Sequence, residues 1–195
     1  MSIDLAAQAR RSYRAVETGD LSDLADYIAP GWINREAAAE PPAARGQGPG
    51  AFAATVRWLR TALSEIRLEE HQVVVKDDTV VSLATMSGRH TGPMVLQDGD
   101  KLRVAPPSGR RFAVEHVHWS VFDEEGRALS HFARRDDLGQ VIQLGLLPPT
   151  PGALLRSVQW ALTGRSAAAR RAFLATSGEL PSDSSVDRLS YQPTA

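Results

Sequence analysis

The sequence has 195 residues, a formal net charge of −1 and 43% hydrophobic content. That is enough apolar material for one core, and it leaves no sequence-wide basic field to hold nucleic acid or an anionic membrane. The chain has no cysteine, which excludes disulfides, thiolate nucleophiles and cysteine-ligated zinc.

Residues 1–14 lack the charged-then-apolar order of a secretory leader, and no apolar run nears the ~18 residues of a bilayer span, so the expected location is the cytoplasm. Leu5 to Val16 is rich in helix formers and puts Leu5, Ala9, Tyr13 and Val16 on one face, ending at Gly19. Asp20 or Ser22 is placed to cap a second short helix through Leu24 and Ile28, stopped by Pro30-Gly31. Trp32-Ile33-Asn34 reads as a short strand or turn, and residues 37–50 as a loop rich in Ala, Pro and Gly. A third helix is predicted over Phe52 to Ser64, with Phe52, Val56, Leu59 and Leu63 as its stripe.

The period then changes to that of strands. Ile66 to Lys76 and Val80 to His90 flank the turn Asp77-Asp78. After Thr91-Gly92-Pro93 come Lys101 to Pro106, Phe112 to Phe122 and Ala128 to Arg135. Asp136 or Asp137 caps a short helix through Leu144, and two more helices are expected at Leu154 to Leu162 and Ala167 to Ala175, parted by Gly164. In that region Trp160 with Leu154, Leu155 and Val158 reads as a lid, a docked tail or an oligomer contact, with docking on the body as the default. Helices first and antiparallel strands afterwards indicate an α+β fold. The expected division is a domain over residues 1–148 and a C-terminal helical extension over 149–195, its polar end frayed from Pro181.

Three segments, in order, carry a resemblance. Gly48-Pro49-Gly50-Ala51-Phe52 precedes the first long strand; Met86-Ser87-Gly88-Arg89-His90-Thr91-Gly92 is followed by Pro106-Pro107-Ser108-Gly109-Arg110; and Gly126 to Phe132 leads to Asp136-Asp137-Leu138-Gly139 and Gln143-Leu144-Gly145. In these the chain resembles the SnoaL-like polyketide (ester) cyclases over roughly residues 5 to 148. The resemblance implies a cone-like curved antiparallel sheet with N-terminal helices enclosing a pocket, as in scytalone dehydratase and the nuclear transport factor superfamily. It also implies intramolecular aldol ring closure without metal or cofactor, a hydrophobic polyketide-like ligand, and a homodimer formed through the sheet.

Such chemistry needs a base to remove a proton alpha to a carbonyl and an acid for the oxygen being attacked. Strand phase selects the candidates. His116, His118 and Ser120 share one face, opposite Val117, Trp119 and Val121, while His131, Ala133 and Arg135 share a face of the last strand. We expect His118 as acid/base with His131 assisting, and Asn34, His116, His90, Trp32 and Arg135 as substrate-binding residues. Asn34 matches the family's pocket asparagine. His90, beside a glycine-rich corner, also has a structural reading.

The family's acid/base aspartate falls at Ala133, whose methyl group moves no proton. A histidine taking over, a related hydroxylation or hydration, and a non-catalytic binder of the same fold are the alternatives this leaves open. The spacing His116-x-His118 with His131 also suits a metal. Against a cupin-like site stand the glycine spacing, the missing downstream P-x-G-x-x-H and the helix-first order, so no metal or cofactor is expected.

Overall fold

The computed structural model describes residues 3–180; the predicted frayed end from Pro181 lies outside the described residues. Helix α1 (Leu5–Thr18) is capped by Asp4, whose side chain accepts from the Ala7 amide at 3.0 Å, and ends on left-handed Gly19. α2 (Leu24–Tyr27) runs straight into β1 (Ile28–Asn34). Neither predicted cap serves α2: Asp20 bonds Ser22 instead, and Asp23 stands at the N-cap with its carboxylate held by Arg11 rather than by the helix amides.

α3 (Gly48–Ala62) starts four residues before the predicted Phe52 and stops before Leu63 and Ser64, which open β2 (Leu63–Lys76). Pro49 in its first turn accounts for the earlier start. Phe52 and Val56 are buried as their stripe requires. The end of α3 is sealed by the Thr91-Gly92 corner, whose two amides donate to the Ala62 carbonyl at 3.1 and 3.0 Å.

β3 (Thr79–His90), β6 (Arg111–Phe122) and β7 (Ala128–Arg135) complete the main sheet, in the order β1-β7-β6-β3-β2. The sheet is curved and does not close, and its edge strand β1 runs parallel to β7, an exception to the antiparallel expectation. A separate hairpin of β4 (Met94–Asp98) and β5 (Lys101–Ala105) stands off it, and β4 was not predicted. α1 and α3 cover the concave face of the sheet. One cluster, with Leu24, Tyr27, Trp32, Phe52, Val56, Val80 and Phe122, fills one end; Leu63, Ile66, Met86, Phe112 and Leu144 fill the other.

After β7, Asp136 caps α4 (Asp137–Gln143) by accepting from the Gly139 amide at 2.7 Å. α5 (Pro151–Leu162) and α6 (Arg165–Leu174) pack on the β4–β5 hairpin through Trp160, Ala169 and Phe173 against Trp58, Val95, Leu102 and Val104. Leu154, Leu155 and Val158, expected to dock, face outward.

Candidate active site

Between α1, α3 and the concave face lies a cavity of about 300 Å³, within the size of small-molecule sites. Its lining is mostly apolar, with Val16, Leu59, Met86 and Met94 among the contributors. Trp32 and Phe52 meet edge to face there at 5.4 Å.

The polar lining comes first from the sheet. The register sets His116 opposite Arg135, His118 opposite Ala133 and Ser120 opposite His131, all on the inward phase. His118 Nδ1 and His131 Nε2 are 3.0 Å apart, a hydrogen bond in which one imidazole donates to the other. His116 and Tyr13 flank His118, with ring centroids at 5.4 and 5.1 Å, and the Tyr13 hydroxyl bonds Ser82. His118 Nε2 is buried without a hydrogen-bond partner among the described residues.

Electrostatics keep these rings uncharged. Burial, aided by Arg135 and His131, lowers His116 to about 4. Burial likewise pushes His118 and His131 well below the ordinary imidazole range, with His116 and Arg135 adding to it for His118, and His118 and Arg135 for His131. An imidazole ordinarily titrates near ~6.5; these are neutral at cellular pH and weak as bases. Tyr13 is raised by burial to about 12 and stays protonated.

The second polar group comes from the segment read as a loop. Glu40 is only 3% exposed; its Oε1 accepts from Asn34 Nδ2 at 3.0 Å and its Oε2 from Thr55 Oγ1 at 2.5 Å. Burial raises its pKa, opposed by the Thr55 hydrogen bond and by Arg135. Glu36 and Asp137 pair with Arg135 at 3.6 and 3.3 Å. Asn34 and Arg135 thus line the cavity as expected, each already engaged by a carboxylate. Glu36 and Glu40 had no local signal in the sequence, since a carboxylate buried from a loop depends on what folds over it.

His90 does not join this group. It lies at the far end of β3, bordering a separate open groove with Ser64, Arg89, Ser108 and Arg156. Its Nδ1 accepts from the Ser108 amide at 3.2 Å, and its backbone bonds Gly109 and Arg110. Burial lowers it to about 4. His90 thus lies outside the cavity and braces the two motifs Met86–Gly92 and Pro106–Arg110, in keeping with its structural reading. Gln143 acts similarly, clasping the amide and carbonyl of Ala113 at 2.8 and 3.0 Å. Among the described residues no group of three or more His, Asp or Glu side chains is arranged to hold a metal ion.

The family profile described as SnoaL-like polyketide cyclase matches residues 7–144. The chain belongs to this family. The aklanonic acid methyl ester cyclase DnrD of Streptomyces peucetius is 36% identical over 143 residues, 73% of this chain and 91% of the relative. The nogalonic acid methyl ester cyclase of Streptomyces nogalater is 33% identical over 136 residues, 67% of this chain and 90% of the relative. Among solved structures, TsrD from Streptomyces laurentii superposes with a TM-score of 0.59 at 25% identity, covering 75% of this chain and 98% of its own. The curated relatives are cyclases, and this SnoaL-like chain is a cyclase-like enzyme of the lyase/isomerase type.

Proposed function

We propose that this SnoaL-like enzyme closes a carbocycle in a hydrophobic polyketide-derived ester by an intramolecular aldol step in which the His118–His131 pair moves the proton. The observation that carries the reading is the unpartnered His118 Nε2 inside the cavity, backed by the 3.0 Å hydrogen bond to His131. His118 Nε2 takes a proton from the carbon alpha to the ester, and the enolate carbon forms the new C–C bond to a ketone of the same molecule. The resulting alkoxide takes that proton back from the His118–His131 pair, so none is consumed overall and the base is restored.

A base this weak suits a carbon held between two carbonyl groups, where the anion is delocalised over both oxygens. The substrate class that follows is an ester whose α-carbon is activated in this way; the curated relatives are named for methyl esters. Transient charge on His118 is shared with His131 through the bridging hydrogen. Glu40, held by Asn34 and Thr55, is positioned to bond the oxygen that gains the proton, in the role that Ala133 leaves vacant. Apolar walls fold the chain of the substrate into reach and exclude water.

The test is incubation with aklanonic acid methyl ester, with conversion to a product of unchanged mass followed by chromatography. His118→Gln is expected to lower turnover by ~10²–10⁴-fold, the usual worth of a positioned acid/base. Turnover equal to the parent in both His118→Gln and His131→Gln would remove the pair from the chemistry. We further propose a homodimer formed through the convex face, where Val74 on β2 and Val117 and Trp119 on β6 are exposed on either side of β3.

A further inference from the structure

Helix α5 carries its apolar side outward. Leu154, Val158, Leu162 and Leu155 fall within about 100° of the helical circumference. All four are exposed, Leu155 at 71% and Leu162 at 83%. The other side of the helix, with Ala153 and Trp160, is the one turned to the protein. A leucine-rich stripe left in water over three turns calls for an occupant.

Charge narrows the choice. From Leu138 to Gly178 the chain carries Arg156, Arg165, Arg170 and Arg171 and no Asp or Glu. Arg165, Arg170 and Arg171 are exposed, and none of the four forms an ion pair among the described residues. The net charge of −1 conceals this segregation, because the acidic residues lie elsewhere in the chain. Arg156 turns inward to the groove beside His90, which leaves Arg165, Arg170 and Arg171 as the exposed cations of the arm, and these with the aliphatic stripe fit a surface that is anionic outside and apolar beneath.

We propose that α5 and α6 form an arm that lies on an anionic lipid surface, with the α5 stripe at the headgroup–acyl boundary and the arginines among the phosphates. The stripe sits on a convex helix, the form that inserts shallowly into a bilayer. Twelve residues of helix cannot cross one, and no described helix is long and apolar enough to do so. A second copy docked two-fold on the same stripe would bring two sets of unpaired arginines together, which opposes that pairing. Each arginine near an anionic leaflet adds attraction that salt weakens. The proposal stands apart from the identity of the substrate.

The test is co-sedimentation of the full chain with large unilamellar vesicles of phosphatidylcholine alone or mixed about equally with phosphatidylglycerol. Binding to the anionic vesicles is expected to exceed that to the neutral ones by about tenfold or more, and to fall between about 0.1 and 0.5 M salt. Leu155→Ser with Leu162→Ser, and separately Arg170→Glu with Arg171→Glu, should each weaken binding by about tenfold or more while the thermal melt stays unchanged, because all four positions are exposed. No sedimentation with anionic vesicles at low salt overturns the proposal and turns the search to an acidic protein partner. Variants that bind like the parent overturn it as well. Self-association in lipid-free light scattering that vanishes in Leu155→Ser with Leu162→Ser would assign the stripe to a second copy instead.

Discussion

Four of the five histidines are held neutral by burial, and that sets how the protein responds to acid. His90 and His116 are lowered to about 4, and His118 and His131 move the same way. In the unfolded chain each titrates near ~6.5. Below that value the unfolded state binds more protons than the folded one, so stability is complete above about pH 6.5 and falls as pH drops toward 4. For His90 alone the displacement corresponds to about 3 kcal/mol across that window. Melts at pH 7.5 and at 5 should show this loss, and His90→Gln should flatten the slope; an unchanged slope would mean His90 is not the group titrating. Ala133 matters at the same scale. A carboxylate there would have raised the imidazole beside it. Without one, the influences on His118 named by its surroundings, burial with His116 and Arg135, all lower it.

Among the elements, the Thr91-Gly92 corner shows what a motif glycine is for. A Cβ on Gly92 would lie 1.9 Å from the Thr61 carbonyl oxygen, at the point where the corner seals α3. Gly92→Ala must therefore push β3 off α3, and a loss of about 2–3 kcal/mol is expected, read as a melting point lowered by roughly 4–12 °C. An unchanged melt would show that the contact yields freely. The strands around this corner were legible because their side chains alternate strictly, as in Val114, His116 and His118 on one face and Val117 and Trp119 on the other. The β4–β5 hairpin was only half legible. Each strand has five residues, and Gly92-Pro93 masks the start of β4, although Gly99-Asp100 is the turn pair that joins it to β5. The short turns over residues 36–45 hid most. Their composition is that of a loop, yet they deliver Glu36 and Glu40 to the cavity.

At the scale of the molecule, two apolar surfaces are open among the described residues. One is the α5 stripe; the other is the convex sheet face, where Trp119 is 48% exposed and Val74, Val81 and Trp119 stand in register across three strands. If that face joins two copies, light scattering should give twice the 21.1 kDa chain mass, and Trp119→Asp should give the monomer. A parent protein that scatters as a monomer would remove the dimer proposed here. The surfaces lie on different elements, so a lipid-bound arm and a sheet-to-sheet dimer are compatible.

By itself the sequence determined what is local or periodic. The order of helices and strands, the three motifs shared with the SnoaL-like cyclases and the face on which each strand histidine lies all follow from spacing along the chain. The tertiary structure decided what depends on neighbours across it. Strand register brought His118 to His131, while His90, on a strand of the same sheet, went to its far end. Closure of α1 and α3 over the concave face removed water from the imidazoles and held them neutral. It also turned a loop glutamate into a buried cavity group and left the α5 stripe outward, because a helix's pattern states which side is apolar but not what that side will meet.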